Sequence, residues 1–242
     1  MIDIKNLYYS YDENILALKS INFHADKGEA IALVGVNGSG KSTLMKILTG
    51  LVSQSSGSYF FQGDEITHKK LQKGSFSKAF HKKIGFVFQN SEVQLFCSNV
   101  YDEIAFGPRQ MGMDEEEVHK RVLDTLKLLN IENLKYRQPY HLSGGEKKKV
   151  AIASVVVLNP EVYVFDEPMN GLDPKTKRFL RDFMLTLNKA GKTIICSTHD
   201  FQYVEGVFQR AVVFSSDHEI IRDGNYEEIM KDEGFLFENN II

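Results

Sequence analysis

Residues 30–42 read Ala-Ile-Ala-Leu-Val-Gly-Val-Asn-Gly-Ser-Gly-Lys-Ser, an apolar run followed by a glycine-rich loop. The unbroken run Ala30–Val34 is typical of a parallel strand that is buried on both faces. The loop ends at Lys41 and Ser42, where the spacing predicts the start of a helix. Strand, loop and helix in this order predict an α/β protein. The loop N–H groups and the positive end of the helix dipole would hold phosphate oxygens.

The loop predicts which residues hold a nucleoside triphosphate and its Mg²⁺. Lys41 is expected to reach the β- and γ-phosphates, Ser42 to offer its hydroxyl to Mg²⁺, and Thr43 to bond near the α-phosphate. A glycine loop alone could be an ordinary turn, but the fixed offsets of glycine, lysine and serine after a strand favour phosphate binding. The residues expected to form the cradle are Gly35, Asn37, Gly38, Ser39 and Gly40.

A second apolar run, Val162–Phe165, ends at the acidic pair Asp166 and Glu167. Ligands of open parallel sheets bind beyond the carboxyl ends of the strands. Asp166 is therefore expected to join the Mg²⁺ shell, and Glu167 to act as general base toward the attacking water. A pair of acids in a turn is more often solvated surface, but the apolar strand directly before this pair favours the catalytic interpretation.

Two further apolar runs also end in polar candidates. Ile84–Phe88 precedes Gln89, and Thr193–Thr198 precedes His199. Because each candidate follows its own strand, the sequence predicts that they meet Lys41 and the acidic pair at one edge of a sheet. A single histidine is more often a structural residue, so its role depends on what lies beside it.

Between the loop and the acidic pair lies Leu142–Glu146, Leu-Ser-Gly-Gly-Glu. Ser143 and Glu146 have the spacing of a capping box, which would begin a helix. In this order of parts, the segment resembles the signature of ATP-binding-cassette (ABC) ATPases, and the resemblance extends from about residue 1 to residue 223. It implies a P-loop nucleotide hydrolase fold with a RecA-like parallel core, an antiparallel β layer and a helical insert.

The resemblance also implies roles for the candidate residues, with ATP and Mg²⁺ as ligands. Gln89 would be the lid glutamine, contacting metal and water, and His199 the switch histidine on the γ-phosphate. Tyr11 would stack on adenine, with Tyr8 and Tyr9 as alternatives. The signature would bind the γ-phosphate of ATP held by a second cassette, either the same chain or a homologous one. The signature residues in question are Ser143, Gly144 and Gly145.

Two segments that follow Gln89 indicate a subgroup within the ABC ATPases. Asn90–Phe96 (Asn-Ser-Glu-Val-Gln-Leu-Phe) and Asp102–Pro108 (Asp-Glu-Ile-Ala-Phe-Gly-Pro) resemble energy-coupling-factor cassettes, which drive uptake of vitamins and transition-metal ions such as cobalt. The resemblance implies two partners, a transmembrane coupling subunit and a substrate-binding membrane subunit, with the chain at the cytoplasmic face of the membrane. A plain amphipathic helix with Leu95 and Phe96 in the core is the alternative. The acids expected to meet an arginine of the coupling subunit are Glu92, Asp102 and Glu103.

Some residues depart from the usual pattern of the family. Val36 and Ser91 stand where proline is usual, Met169 replaces threonine, and Asn170 replaces serine or alanine. Glu146 replaces glutamine and places a carboxylate at a turn that would face the γ-phosphate. None of these changes removes a catalytic group. A regulatory cassette with low hydrolysis, motivated by Glu146, and a soluble cassette of the iron–sulfur-assembly type are the alternative functions.

Length and composition agree with a single ABC ATPase domain. The chain has 242 residues, of which 43% are hydrophobic. We expect a nucleotide-binding core over about 1–88 and 142–223, a helical subdomain over about 89–141, and a short tail over 224–242. No stretch is long and apolar enough to span a bilayer, and no secretory leader is expected. The net charge of −3 gives no basic footprint for nucleic acid.

Overall fold

The computed structural model describes residues 1–12 and 15–242, which fold into two sheets with helices between and around them. The strands are β1 Ile2–Ser10, β2 Leu16–Ala25, β3 Ala30–Gly35, β4 Ser56–Phe61, β5 Asp64–Glu65, β6 Ile84–Val87, β7 Val162–Asp166, β8 Thr193–Ser197, β9 Arg210–Phe214 and β10 Ile220–Asn225. The helices are α1 Lys41–Leu48, α2 His68–Leu71, α3 Gly74–Lys83, α4 Val100–Gln110, α5 Glu115–Leu128, α6 Gly144–Val156, α7 Pro174–Lys189, α8 Tyr226–Met230 and α9 Glu233–Glu238. Short 3₁₀ turns lie at Ser91–Val93, Glu132–Leu134, Pro139–His141 and Phe201–Tyr203.

The predicted apolar runs form a six-stranded sheet with the order β10-β9-β3-β8-β7-β6. Every neighbouring pair of strands in this sheet is parallel except β9 and the edge strand β10, which are antiparallel. Every residue of β3, β7 and β8 is buried, which explains why their sequences do not alternate. Two strands end one residue earlier than predicted, because Phe88 donates its N–H to the Gln94 side chain and β7 offers no partner beyond Asp166 for Thr198.

The antiparallel layer is a four-stranded sheet with the order β2-β1-β4-β5. Its apolar side chains share one hydrophobic cluster with α1 and one face of the parallel sheet. Alternate residues of β3 divide between the two sides: Ile31 and Leu33 point to this cluster, whereas Ala32 and Val34 belong to the cluster on the other face. The predicted combination of a parallel core with an antiparallel layer is therefore confirmed.

The helices α4 and α5 form an insert that packs against α6. The carboxylate of Asp114 caps α5 by accepting the N–H of Glu117 at 3.0 Å, as the sequence predicts. The apolar residues that α5 and its C-cap turn toward the core are fully buried: Val118, Val122, Leu126 and the C-cap residue Leu129. Because α6 also contacts β6, it links the insert to the sheet. Within the described parts of the chain, no helix has the length and apolar character needed to cross a membrane.

Candidate nucleotide-binding and hydrolysis site

A cavity of about 490 Å³ lies at the carboxyl ends of the central parallel strands. This volume is within the range of roughly 300–1,000 Å³ that small-molecule sites occupy. Its lining residues are Tyr11, Ile15, Leu16, Ala17, Asn37, Gly38, Ser39, Gly40, Lys41, Ser42, Thr43, Gln89, Glu167 and His218. The candidates that follow β3, β6 and β7 thus meet in one place, and the candidate after β8 contacts Glu167. The parallel sheet brings them together because each one follows the end of its own strand.

The glycine loop curls tightly between β3 and α1. Gly35 and Gly40 have φ angles of 147° and 105°, and a Cβ atom at either would lie 2.6 Å or less from a backbone oxygen, of Phe214 and Ala17 respectively. The ammonium of Lys41 lies inside the loop, where it donates to the carbonyl oxygens of Gly35 at 2.6 Å and Val36 at 2.9 Å. Burial lowers the pKa of Lys41. A desolvated cation in a ring of backbone groups suits a phosphate anion.

The hydroxyl of Ser42 and the carboxylate of Asp166 already lie in contact. Ser42 Oγ donates to Asp166 Oδ1 at 3.0 Å, and Ser197 Oγ donates to the same oxygen at 2.8 Å. No cluster of three or more His, Cys, Asp or Glu residues suited to a metal is found in residues 1–12 and 15–242. Mg²⁺ needs none, because it usually takes one or two carboxylates, with phosphates and water completing its octahedron. The oxygen donors of Ser42, Asp166 and the exposed Gln89 fit that ion.

Glu167 and His199 form a pair beside the cavity. His199 Nε2 lies 3.1 Å from Glu167 Oε1, and the carboxylate side chain is only 12% exposed. Burial raises the pKa of Glu167, against the opposing effect of the Lys41 ammonium. Burial lowers the pKa of His199, and the Lys41 charge adds to that effect. The imidazole is therefore neutral at neutral pH, and it contacts a carboxylate whose affinity for a proton is increased.

Of the three tyrosines considered for the adenine side, the cavity lining contains Tyr11. Its hydroxyl lies 3.1 Å from Thr43 Oγ1 in α1, and its ring is 52% exposed. Tyr9 packs edge-on against Tyr11 at 5.0 Å between ring centres and supports it. Stacking on adenine stays a prediction. His218, in the turn between β9 and β10, also lines the cavity, and no motif in the sequence signals it because only the fold brings that turn near the loop.

The signature residues do not lie in this cavity. Ser143 and Gly145 line a separate hollow of about 450 Å³ together with Asp173 and Thr176. Ser143 caps α6, and its backbone N–H donates to Glu146 Oε2 at 2.8 Å, so the predicted capping box is confirmed. Gly144, beside them, is exposed. One chain therefore carries the phosphate loop and the signature at two different surfaces.

The segment after Gln89 does not form the amphipathic helix that the alternative interpretation predicts. Ser91–Val93 is a single 3₁₀ turn, and Phe96 is 65% exposed, in edge-on contact with Phe106 at 4.9 Å. The alternative that places Phe96 in the core is therefore wrong, although Leu95 does pack against the core. The exposed aromatic pair forms part of a surface on the helical insert.

The three acids expected at a partner surface also differ in availability. Glu103 is 3% exposed and accepts the N–H groups of Phe96 and Cys97 at 2.9 and 2.7 Å, so its role is structural. Asp102 accepts from Asn99 at 2.6 Å and from Arg109 at 3.1 Å. Glu92 is 67% exposed with one salt bridge, to Lys147. Of the three, Glu92 is the acid that a partner can reach most readily.

Comparisons with known proteins cover nearly the whole chain. A family model described as "ABC transporter" matches residues 18–170. The nickel import ATP-binding protein LarO of Lactiplantibacillus plantarum is 44% identical, over 92% of each chain. The energy-coupling factor transporter ATP-binding protein EcfA of Methanococcus maripaludis is 40% identical over 96% of this chain and 82% of its own. The structure of cbiO1 from Clostridium perfringens, part of the ABC transporter complex cbiONQ, superposes with a TM-score of 0.83 at 35% identity, over 99% of this chain and 94% of that one.

Proposed function

We propose that this chain, which belongs to the ABC transporter family, hydrolyses ATP to power an energy-coupling-factor importer of vitamins or transition-metal ions. One observation carries the proposal: the Lys41 ammonium, the Ser42–Asp166 contact and the Glu167–His199 pair lie at one sheet edge in and beside a cavity of nucleotide size. Similarity to LarO, EcfA and cbiO1 along almost the full chain supports the importer type.

The chemistry follows from the positions of the side chains. Lys41 exchanges its bonds to the loop carbonyls for bonds to β- and γ-phosphate oxygens. Ser42, Asp166 and Gln89 would hold Mg²⁺, which when bound neutralises phosphate charge. Glu167 accepts a proton from water as the water oxygen bonds to the γ-phosphorus and the bond from that phosphorus to the bridging oxygen breaks, releasing ADP and phosphate. Before ATP binds, the single N–H of His199, on Nε2, orients the Glu167 carboxylate; when ATP binds, it would transfer this hydrogen bond to the γ-phosphate.

The site is completed by a second cassette. The separate positions of the phosphate loop and Ser143 support a shared site, in which the signature of one chain contacts the nucleotide held by the other. ATP then closes the two cassettes and hydrolysis lets them reopen. Because closure supplies groups to the reaction, the rate of hydrolysis depends on that motion. A transmembrane coupling subunit on the insert would transmit the motion to a substrate-binding membrane subunit, with the chain at the cytoplasmic face.

The test combines turnover with assembly. The purified chain should release phosphate from Mg-ATP, and an affinity-tagged copy expressed in its host should copurify from detergent-solubilised membranes with a membrane subunit. ATPase activity without any membrane partner would favour a soluble cassette of the iron–sulfur-assembly type. Copurification without phosphate release, in the assembled complex as well as alone, would favour a regulatory cassette.

A further inference from the structure

Lys148 is a buried lysine that the proposed mechanism does not use. It lies in the second turn of α6 and is only 2% exposed. Its ammonium donates to the carbonyl oxygens of Phe88 at 3.0 Å and Gln89 at 2.7 Å. Both acceptors belong to the main chain at the end of β6. The helix that begins with the signature thus reaches across to the residue expected to bind metal and water.

Burial of the Lys148 ammonium costs free energy, because the charge loses its contact with water. Removing a charged amine from water is unfavourable unless hydrogen bonds replace its hydration. Burial lowers the pKa of Lys148 to about 8, and the nearby charge of Asp166 only partly opposes that effect. Within the described part of the chain, the salt bridges do not include Lys148, so the carbonyls of Phe88 and Gln89 are its main compensation. We call the segment around Gln89, residues 88–94, the lid. The Lys148 side chain is therefore held by hydrogen bonds to the main chain of the lid.

A second side chain fastens the same segment from the other direction. Gln94 Oε1 accepts the N–H of Phe88 at 3.2 Å, and Gln94 Nε2 donates to Ala151 O at 2.7 Å and Ser154 Oγ at 3.1 Å in α6. The N–H and the carbonyl of Phe88 are thus both bonded to side chains that end on, or come from, α6. Lys148 therefore holds Gln89 directly, and both side chains hold Phe88, the residue before it.

The exposed side of the segment carries one more link. Lys147, the neighbour of Lys148 in α6, contacts Glu92 at 2.5 Å. The Glu92 side chain is 67% exposed and the Lys147 side chain 19% exposed, so water screens this salt bridge and weakens it. The buried ties of Lys148 and Gln94 therefore carry the attachment of the lid to the helix.

From these contacts we infer that Lys148 is a positioning residue: it fixes the main chain of Gln89 to the signature helix, so that the metal-side glutamine and the signature move as one body. The inference rests on the proposed function, because it assigns Gln89 to the metal and water side of an ATP site. Any contact that displaces the segment around Glu92 displaces Ser143 together with Gln89.

The test compares Lys148→Met, which keeps the length of the side chain, with Lys148→Arg, which keeps its charge and donors. Lys127→Met, at an exposed lysine of α5, is the matched control. Lys148→Met should keep its affinity for Mg-free ATP within twofold and lower turnover by about tenfold or more. It should also shift the Mg²⁺ midpoint of hydrolysis upward by at least threefold. Lys148→Arg should restore both quantities to within about threefold of wild type.

The outcomes separate positioning from simple stability. Wild-type turnover and Mg²⁺ midpoint in Lys148→Met would overturn the inference, as would a parallel loss of ATP affinity and turnover. If Lys148→Met does not fold in a thermal-melt control, Lys148→Gln keeps a polar group at the site but removes the charge and the reach to both carbonyls, and an unchanged Mg²⁺ midpoint there would overturn the inference. Absence of hydrolysis by the wild-type complex would instead contradict the proposed function.

Discussion

Glu167 is positioned by its backbone as well as by its side chain. Its φ of 44° is in the left-handed region, which costs a non-glycine residue on the order of 1–3 kcal/mol. Its N–H donates to Ser197 Oγ at 2.9 Å, and the same serine donates to Asp166. One serine at the end of β8 therefore fixes both acids. The strain is compensated by this bond and by the contact with His199.

Glu167→Gln tests the general base. The amide keeps the shape of the side chain but cannot accept the proton from water, so turnover should fall at least about a hundredfold. ATP binding should persist, and a dimer that depends on ATP should accumulate because the closed state no longer resets. Phosphate release and light scattering with and without Mg-free ATP measure the two effects. Glu116→Gln, an exposed change on α5, is the control, and wild-type turnover in Glu167→Gln would exclude the assigned role.

The site residues that the sequence predicts are those marked by a motif within a few neighbouring residues. Lys41 ends the glycine loop that follows one apolar strand, and Glu167 directly follows another, so a short stretch of sequence suffices to predict both. Lys148 was missed because its partners Phe88 and Gln89 lie far away in sequence. The sequence predicts Glu103 to be a partner-facing acid, whereas in the fold it is buried and accepts the N–H groups of Phe96 and Cys97. Tertiary packing, which no single window contains, decides these cases.

At the scale of elements, the start of α6 combines a structural and a functional requirement. Glu146 Oε2 accepts both the N–H of Ser143 at 2.8 Å and its hydroxyl at 2.9 Å. These bonds lower the pKa of Glu146, so the carboxylate is charged at neutral pH. The hydroxyl that would bind a γ-phosphate is thus directed at an anion.

The strands are easier to predict from the sequence than the contacts of the signature turn, since buried parallel strands are continuous apolar runs.

Glu146→Gln should ease closure of two cassettes on ATP. Two unit charges roughly 8 Å apart repel by about 2 kcal/mol at an effective dielectric of 20, and water at this exposed turn reduces that figure. A glutamine oxygen can still accept the Ser143 bonds without the charge. In the Glu167→Gln background, the added substitution should therefore lower the ATP concentration for half-dimerisation severalfold and weaken its salt dependence. Equal ATP midpoints at low ionic strength would show that Glu146 acts only as a helix cap.

At the scale of the whole molecule, the helical insert carries the surface that we propose for a membrane partner. Phe96 and Phe106 form an exposed aromatic pair, and a neighbouring groove is lined by Glu92, Leu95, Pro139, Tyr140 and Lys147. Exposed aromatic side chains grouped in this way are typical of interfaces rather than of free surface. The groove lies beside the segment that Lys148 and Gln94 tie to α6. Docking there would act directly on the lid and the signature.

Phe96→Glu should weaken assembly with the membrane subunit. Burying a phenyl side chain contributes about 2 kcal/mol, equivalent to roughly thirtyfold in affinity, and an unpaired carboxylate in the interface would cost more. Nucleotide affinity should stay within twofold, since Phe96 does not line the ATP cavity. Phe237→Glu is the matched control, because Phe237 is 74% exposed but lies in α9 of the tail. Pull-down of the membrane subunit should fail for Phe96→Glu and succeed for Phe237→Glu. Equal recovery by both variants would move the partner surface away from the insert.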